Sequence, residues 1–267
     1  MKRAVTPFLL LVALAVLAVI PFSVGAPLPA GDEVELGNVA WMLTAAALVL
    51  LMTPGLSFFY GGMVSSKNVV STMLQSVIAL GVISLLWVFV GFSLAFGEDI
   101  GGVIGDPRTF FMFENVVPTS VTLGSGEDVS KMAIPLILFS MFQLKFAIIT
   151  PALITGAFAE RVRFSSYLLF IVLFSLFIYS PLAHMTWHPG GLFYKWGVKD
   201  FAGGTVVHMS AGFAALAGAM ILGRRQTHKE NVAHEPANIP YVMLGTGMLW
   251  FGWFGFNAGS AMAADGT

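Results

Sequence analysis

The chain has 267 residues, 57% hydrophobic and 10% charged, where an ordinary soluble domain is about 25% charged. Its net charge of −1 gives no electrostatic case for nucleic acid, and without cysteine neither disulfides nor thiol chemistry can matter. Several apolar runs reach the ~20 residues a membrane span needs, so the chain reads as an all-α polytopic membrane protein. The short alternating strands of a β-barrel are not seen.

Met1-Lys-Arg precedes an apolar run from Phe8 to Val24, which ends in Ser23-Val24-Gly25-Ala26. A positive start, a short apolar core and small residues predict a secretory signal peptide over 1–26, cleaved near Gly25 or Ala26. The alternative is a retained first span. Residues 27–37, Pro-rich with Asp32, Glu33 and Glu35, predict a solvated extracytoplasmic arm. Six spans follow, near 38–63, 70–96, 132–158, 166–185, 201–222 and 238–264.

The connections alternate in charge. Segment 64–69 carries Lys67, 159–165 carries Arg161 and Arg163, and 223–237 carries Arg224, Arg225 and Lys229. Segment 97–131 holds six acids, including Glu98, Asp99 and Asp128, against Arg108 and Lys131. The positive-inside rule makes the first three cytoplasmic, with the mature N-terminus outside a plasma (inner) membrane. Lys195 and Lys199, in the outer segment 186–200, run against that pattern. Pro54-Gly55, Pro135, Pro151 and Pro181 interrupt spans. Such breaks are tolerated where neighbouring helices or waters satisfy the freed backbone groups.

Asp200-Phe-Ala-Gly-Gly-Thr-Val-Val-His208 puts an ionisable ring inside a span. On a straight helix from Asp200, His208 lies roughly 12 Å deeper, with Gly204 and Gly212 on its face and Ala211 and Ala215 beside it. Small residues predict that this face points into a bundle. A polar ring at such depth is either a functional group or a packing hydrogen bond.

The third span holds Phe139, Phe142, Gln143 and Phe146, and the sixth holds Trp253, Phe256 and Ser260, both at spacings of three and four. His184-Met-Thr-Trp187 follows the fourth span. Each aromatic stripe alone is equally a packing face or an interfacial belt. Together they describe a graded path: Trp187 outside, phenylalanines below, His208 deeper. Aromatic faces attract cations by up to about 2 kcal/mol when desolvated, a serine hydroxyl accepts from N–H, and imidazole takes a proton near neutral pH. A small cation fits such a path. No carboxylate pair, metal-ligand cluster or phosphate-binding Gly-Lys loop is present, which argues against an enzyme or ATP-driven pump and implies no cofactor.

Four segments, Phe58-Phe-Tyr60-Gly-Gly, Gly156-Ala-Phe-Ala-Glu160-Arg161-Val-Arg-Phe, Asp200 to His208, and Gly252-Trp-Phe-Gly-Phe256-Asn-Ala-Gly-Ser260, resemble the signatures of the ammonium transporter (Amt/Mep/Rh) family. The resemblance covers nearly everything after residue 38. It implies eleven helices built on two inverted five-helix repeats, of which this chain would hold the first repeat and the next helix as a portion of a longer protein. It implies that Phe142, Trp187 and Ser260 recruit ammonium, that Phe146 and Phe256 stack as the pore gate, and that His208 is the first of two pore histidines. Asp200 would be structural or recruiting, with a helix cap as its plainer role; Gln143 and Tyr179 are weaker carry-overs. Implied partners are ammonium or ammonia, with methylammonium as analogue, the membrane, a homotrimer and a cytoplasmic regulatory protein. The functional reading is recruitment, deprotonation and conduction of ammonia. The alternatives are an ammonium sensor and a neutral-gas channel of the Rh type, the latter disfavoured by Trp187. Lys145, beside Phe146, would repel a cation if it lined the path, so it is expected to face a neighbouring subunit or snorkel to an edge.

Overall fold

The computed structural model describes residues 25–265. The predicted signal peptide falls almost wholly outside them. Six long helices dominate. α1 is Leu36–Met63. α2 runs through Val69–Leu86, a π-helical turn at Trp87–Gly91, and Phe92–Phe96. α3 is Leu136–Phe158. α4 joins Phe164–Phe174, a π turn at Ser175–Tyr179, and Ser180–Trp187. α5 begins with the π turn Gly204–Met209 and continues through Ser210–Leu222. α6 is Ile239–Ala258. Five of these, α1 to α5, are long and apolar enough to cross a membrane. α6 is long enough at 20 residues, but its glycines and tryptophans dilute its hydropathy.

α3 is the centre: 83% of its apolar window is buried. It packs against α1, α2 and α5. Its short polar side chains are satisfied within the bundle: Thr150 donates to the Phe146 carbonyl at 2.6 Å, and Ser140 accepts from Trp87 Nε1 at 3.1 Å. α6 lies along α1, where the backbones meet closely. A Cβ on Gly252 would lie 2.7 Å from the Leu48 carbonyl, and one on Gly255 2.7 Å from that of Ala45. Glycine at these contacts permits the approach.

Several expectations change. Pro135 does not interrupt a span; it precedes α3, which starts at Leu136, because proline lacks the N–H an interior position needs. Trp187 is the last residue of an α4 segment rather than beyond it. The arm 27–37 is exposed along most of its length, yet its backbone is tied down. Ala30 pairs with Val121, and Asp32 N–H donates to the Met132 carbonyl at 3.0 Å, so its backbone is satisfied by the segment before α3. That segment folds into two hairpins, Asp99–Ile100 with Ile104–Gly105 and Thr122–Ser125 with Asp128–Lys131.

The straight helix from Asp200 is also overturned. Residues 201–203 are bent, Gly203 has φ +87°, and α5 starts only at Gly204. Its first turns are wide, with His208 N–H donating five residues back to the Gly203 carbonyl at 2.9 Å. The 12 Å depth and the four-residue face therefore do not apply there. Among the described residues the small-residue face is only partly covered: Gly204, His208 and Gly212 are exposed, while Ala211 is buried.

Candidate functional site

Three helix ends and the loop before α5 enclose a cavity of about 560 Å³ lined by Phe142, Gln143, Phe146, Trp187, Asp200 and Ser260. Six of the residues singled out from sequence thus meet in one place. α3 supplies the first three and α4 supplies Trp187; Ser260 lies in the 3₁₀ turn Gly259–Ala261 after α6. Phe139, on the same stripe, also turns toward α2, edge-on to Phe96 at 4.9 Å.

The aromatic rings are arranged in a chain. Phe142 and Phe146 are 4.9 Å apart, Trp187 stands edge-on to Phe146 at 6.1 Å, and Phe146 stacks on Phe256 at 4.1 Å and 23°. Phe146 and Phe256 are each 1% exposed; Phe146 lines the cavity and Phe256 stacks behind it. Below it His208 contacts Phe256 at 5.8 Å and Trp253 at 5.7 Å. His208 Nδ1 lies 3.0 Å from the Gly203 carbonyl. A carbonyl only accepts, so Nδ1 carries the hydrogen and the neutral ring has a free lone pair on Nε2.

Asp200 is a cap. Its Oδ1 accepts from Gly203 and Gly204 N–H at 2.6 and 2.8 Å, and Oδ2 from Thr205 and Val206 N–H at 2.8 and 3.0 Å. Those are the donors a helix start leaves without partners. Its backbone carbonyl accepts from Trp187 Nε1 at 2.9 Å, which fixes the indole plane. Ser260 donates to the Phe256 carbonyl at 2.8 Å, so its oxygen lone pairs remain to accept from an N–H donor.

Tyr179 is fully buried and its hydroxyl has no hydrogen-bond partner among the described residues; it does not line the cavity. The same lack of a partner holds for Gln143 Oε1 and Thr186 Oγ1, whose residues do line it. Thr186 drew no notice in the sequence, because a threonine beside a tryptophan carries no pattern. Lys145 faces away, into an apolar groove between α1 and α3 with Leu43, Leu50 and Met141. Successive helix residues point about 100° apart, so lying next to Phe146 does not bring the Lys145 charge into the cavity.

The ammonium transporter family model matches residues 40–267. The chain belongs to the ammonium transporter family. It is 49% identical over 234 residues to an ammonium transporter of Aquifex aeolicus, covering 87% of this chain and 52% of that protein. It is 47% identical over 229 residues to ammonium transporter Amt1 of Archaeoglobus fulgidus, covering 86% and 54%. The crystal structure of Saccharomyces cerevisiae Mep2 superposes with a TM-score of 0.77 at 33% identity, over 91% of this chain and 55% of Mep2. The chain thus spans about half the length of the curated relatives it matches.

Two of the family's signature segments prove to be joints in this chain. Tyr60 donates to the Leu153 carbonyl at 2.8 Å, and a Cβ on Gly156 would meet its ring at 2.6 Å. Glu160, at φ +68°, accepts from Ser65 N–H at 2.9 Å and Asn68 Nδ2 at 3.1 Å. Arg161 donates to the Ala157 and Gly223 carbonyls, closing the ends of α3 and α5. At the opposite end His184 reaches Asp99 at 2.9 Å and the Ala95 carbonyl at 3.1 Å. This ties the helix turn bearing Trp187 to the first hairpin.

Proposed function

We propose that the protein takes ammonium into the Trp187 cavity, removes a proton, and passes ammonia between Phe146 and Phe256 toward His208. The observation that carries this reading is the cavity itself, where the rings of Phe142, Phe146 and Trp187 meet the hydroxyls of Thr186 and Ser260, with Phe256 stacked behind Phe146 and with Lys131 and Lys199 also in the lining. The carboxylate beside it is fully engaged by four N–H groups, so cation–π attraction and Ser260 do the selecting. Ammonium that leaves its proton to vestibule water crosses the apolar gate at far lower cost than the ion. His208 Nε2 then accepts a hydrogen bond from ammonia. The exposed faces of α5 and α6, with Phe213 at 66% and Trp250 at 71%, suit cover by the second repeat of this fold, which would close the pore.

Lys67, Arg161, Arg163, Arg224 and Arg225 gather at the end away from Trp187, since Glu160 bridges the Ser65 turn to Arg225 at 3.9 Å. That convergence supports a cytoplasmic assignment for this end and an outer one for the cavity. A homotrimer and a cytoplasmic regulator at the basic end complete the proposal. Uptake of labelled methylammonium by cells making the protein tests it. Trp187→Leu is expected to raise the half-saturating concentration about tenfold, and His208→Ala to lower the maximal rate. Unchanged uptake in the double variant would overturn the reading.

A further inference from the structure

Two buried imidazoles lie off the path from Trp187 to His208. His184 and His188 flank Trp187 in sequence and are 0% and 1% exposed. Their rings stack at 4.4 Å and 14°. His184 Nδ1 is 3.1 Å from the Ala95 carbonyl, and its Nε2 is 2.9 Å from Asp99 Oδ1. A carbonyl only accepts, and so does an ionised carboxylate. A neutral imidazole has a single N–H, so it would turn a lone pair on one of these two oxygens. An imidazolium satisfies both. Asp99 Oδ1 also accepts from Gly102 N–H at 2.8 Å, so this oxygen serves as an acceptor twice. Imidazolium and carboxylate together carry no net charge. Without the proton, the same contact would keep an uncompensated negative charge against a buried ring.

The surroundings agree with one charged ring. His188 Nδ1 accepts from Gly190 N–H at 3.1 Å, so its hydrogen is on Nε2 and the ring is neutral. No like-charge repulsion then opposes the stack. Lys195 pairs with Asp128 at 3.3 Å, and both line a cleft with Glu98, Asp99 and His188. Asp106, past the first hairpin, is bound by Arg108. Tyr194 lines the Trp187 cavity. The outer turn of α2, Phe92–Phe96, and the strand Ile104–Gly105 pack on this part of α4 and bring no ionisable side chain. From α5, His208 turns to Trp253 and Phe256.

We propose that Asp99 holds His184 as an imidazolium and that this contact makes both of them positioning residues for Trp187. His184 stands one turn before Trp187, and its carbonyl accepts from His188 N–H at 3.1 Å, so the chain is fastened on both sides of the indole. The inference rests on the proposed function only for what Trp187 binds. Its first test is nuclear magnetic resonance of the whole chain, labelled with nitrogen-15 histidine, in detergent at about pH 7. The ring whose signal disappears in His184→Gln is expected to carry hydrogen on both nitrogens. In Asp99→Asn the same ring should become neutral, because the amide N–H can donate to Nε2. A neutral His184 in the parent overturns the proposal. Methylammonium uptake then reads the positioning. Asp99→Ala leaves Nε2 buried without a partner and should raise the half-saturating concentration about tenfold at an unchanged maximal rate. Asp99→Asn should restore most of the affinity. Parent-like affinity in Asp99→Ala, with Trp187→Leu still impaired, overturns the positioning role alone. If Trp187→Leu has no effect either, the cavity reading falls, and the positioning role falls with it. Should Asp99→Ala lose its helical circular dichroism, the imidazole signal of the parent decides.

Discussion

His208 has one ring nitrogen tied to the Gly203 carbonyl at 3.0 Å and one lone pair to offer, so a backbone contact sets the tautomer. Asp200 is fixed by the backbone in the same way, with four N–H groups on its carboxylate. Asp200→Ala is expected to cost roughly 2–3 kcal/mol in thermal unfolding in detergent, and Asp200→Asn less, since the amide oxygen still accepts. Thr186 offers a sharper test. Its buried hydroxyl lacks a partner among the described residues, so Thr186→Val should raise stability by about 1 kcal/mol. If the same change lowers methylammonium uptake, the hydroxyl lies on the substrate's path; if uptake is unaffected, it does not.

The helices owe their positions to close backbone approaches. On α6 a Cβ at Gly245 would come within 2.4 Å of the Phe59 nitrogen and 2.5 Å of the Gly55 carbonyl, whereas one at Gly247 would meet nothing within 4 Å. Gly245→Ala should therefore cost about 1–3 kcal/mol, and Gly247→Ala almost nothing, in the same unfolding measurement. Gly203 is the conformational counterpart. At φ +87° it turns the chain into α5, and a Cβ there would lie 2.7 Å from Val207 Cγ2. Gly203→Ala would move the start of the π turn that carries His208, and with it the ring's distance from Phe256. Such wide turns interrupt α2 and α4 as well, at Trp87–Gly91 and Ser175–Tyr179. Each displaces every later side chain around the axis relative to a regular helix.

Across the whole molecule, the end bearing Arg161 is fastened by Glu160, which links the turn after α1 to the turn after α3 and to Arg225. Burial acts to raise the Glu160 carboxyl, but hydrogen bonds from Ser65 and Asn68 and the Arg225 charge outweigh it and hold it at about 2. A depressed carboxylate adds stability that is complete above the ordinary value of 4.5 and is lost as pH falls toward 2. We expect about 1–2 kcal/mol from this source, allowing for water on one side of the group. The unfolding temperature should drop between those pH values in the parent chain and drop less in Glu160→Gln; equal slopes would remove Glu160 from the account.

Hydropathy is a property of local sequence, so the membrane class and the long apolar helices were legible from the chain alone. The family signatures were legible too, because they are short contiguous strings. Phe142, Phe146, Trp187 and Ser260 could be named as one group on the strength of that resemblance, though nothing in their spacing placed them around one cavity. The tertiary structure decided what depends on helix phase and on contacts between distant segments. A π turn replaces the assumed straight path from Asp200 to His208. Lys145 points into the groove between α1 and α3. Glu160 becomes a clasp only because Ser65, Asn68 and Arg225 arrive from elsewhere in the chain. A side chain's direction follows from the accumulated rotation of its helix and its partners from how helices cross, and neither quantity is written in any single stretch of residues.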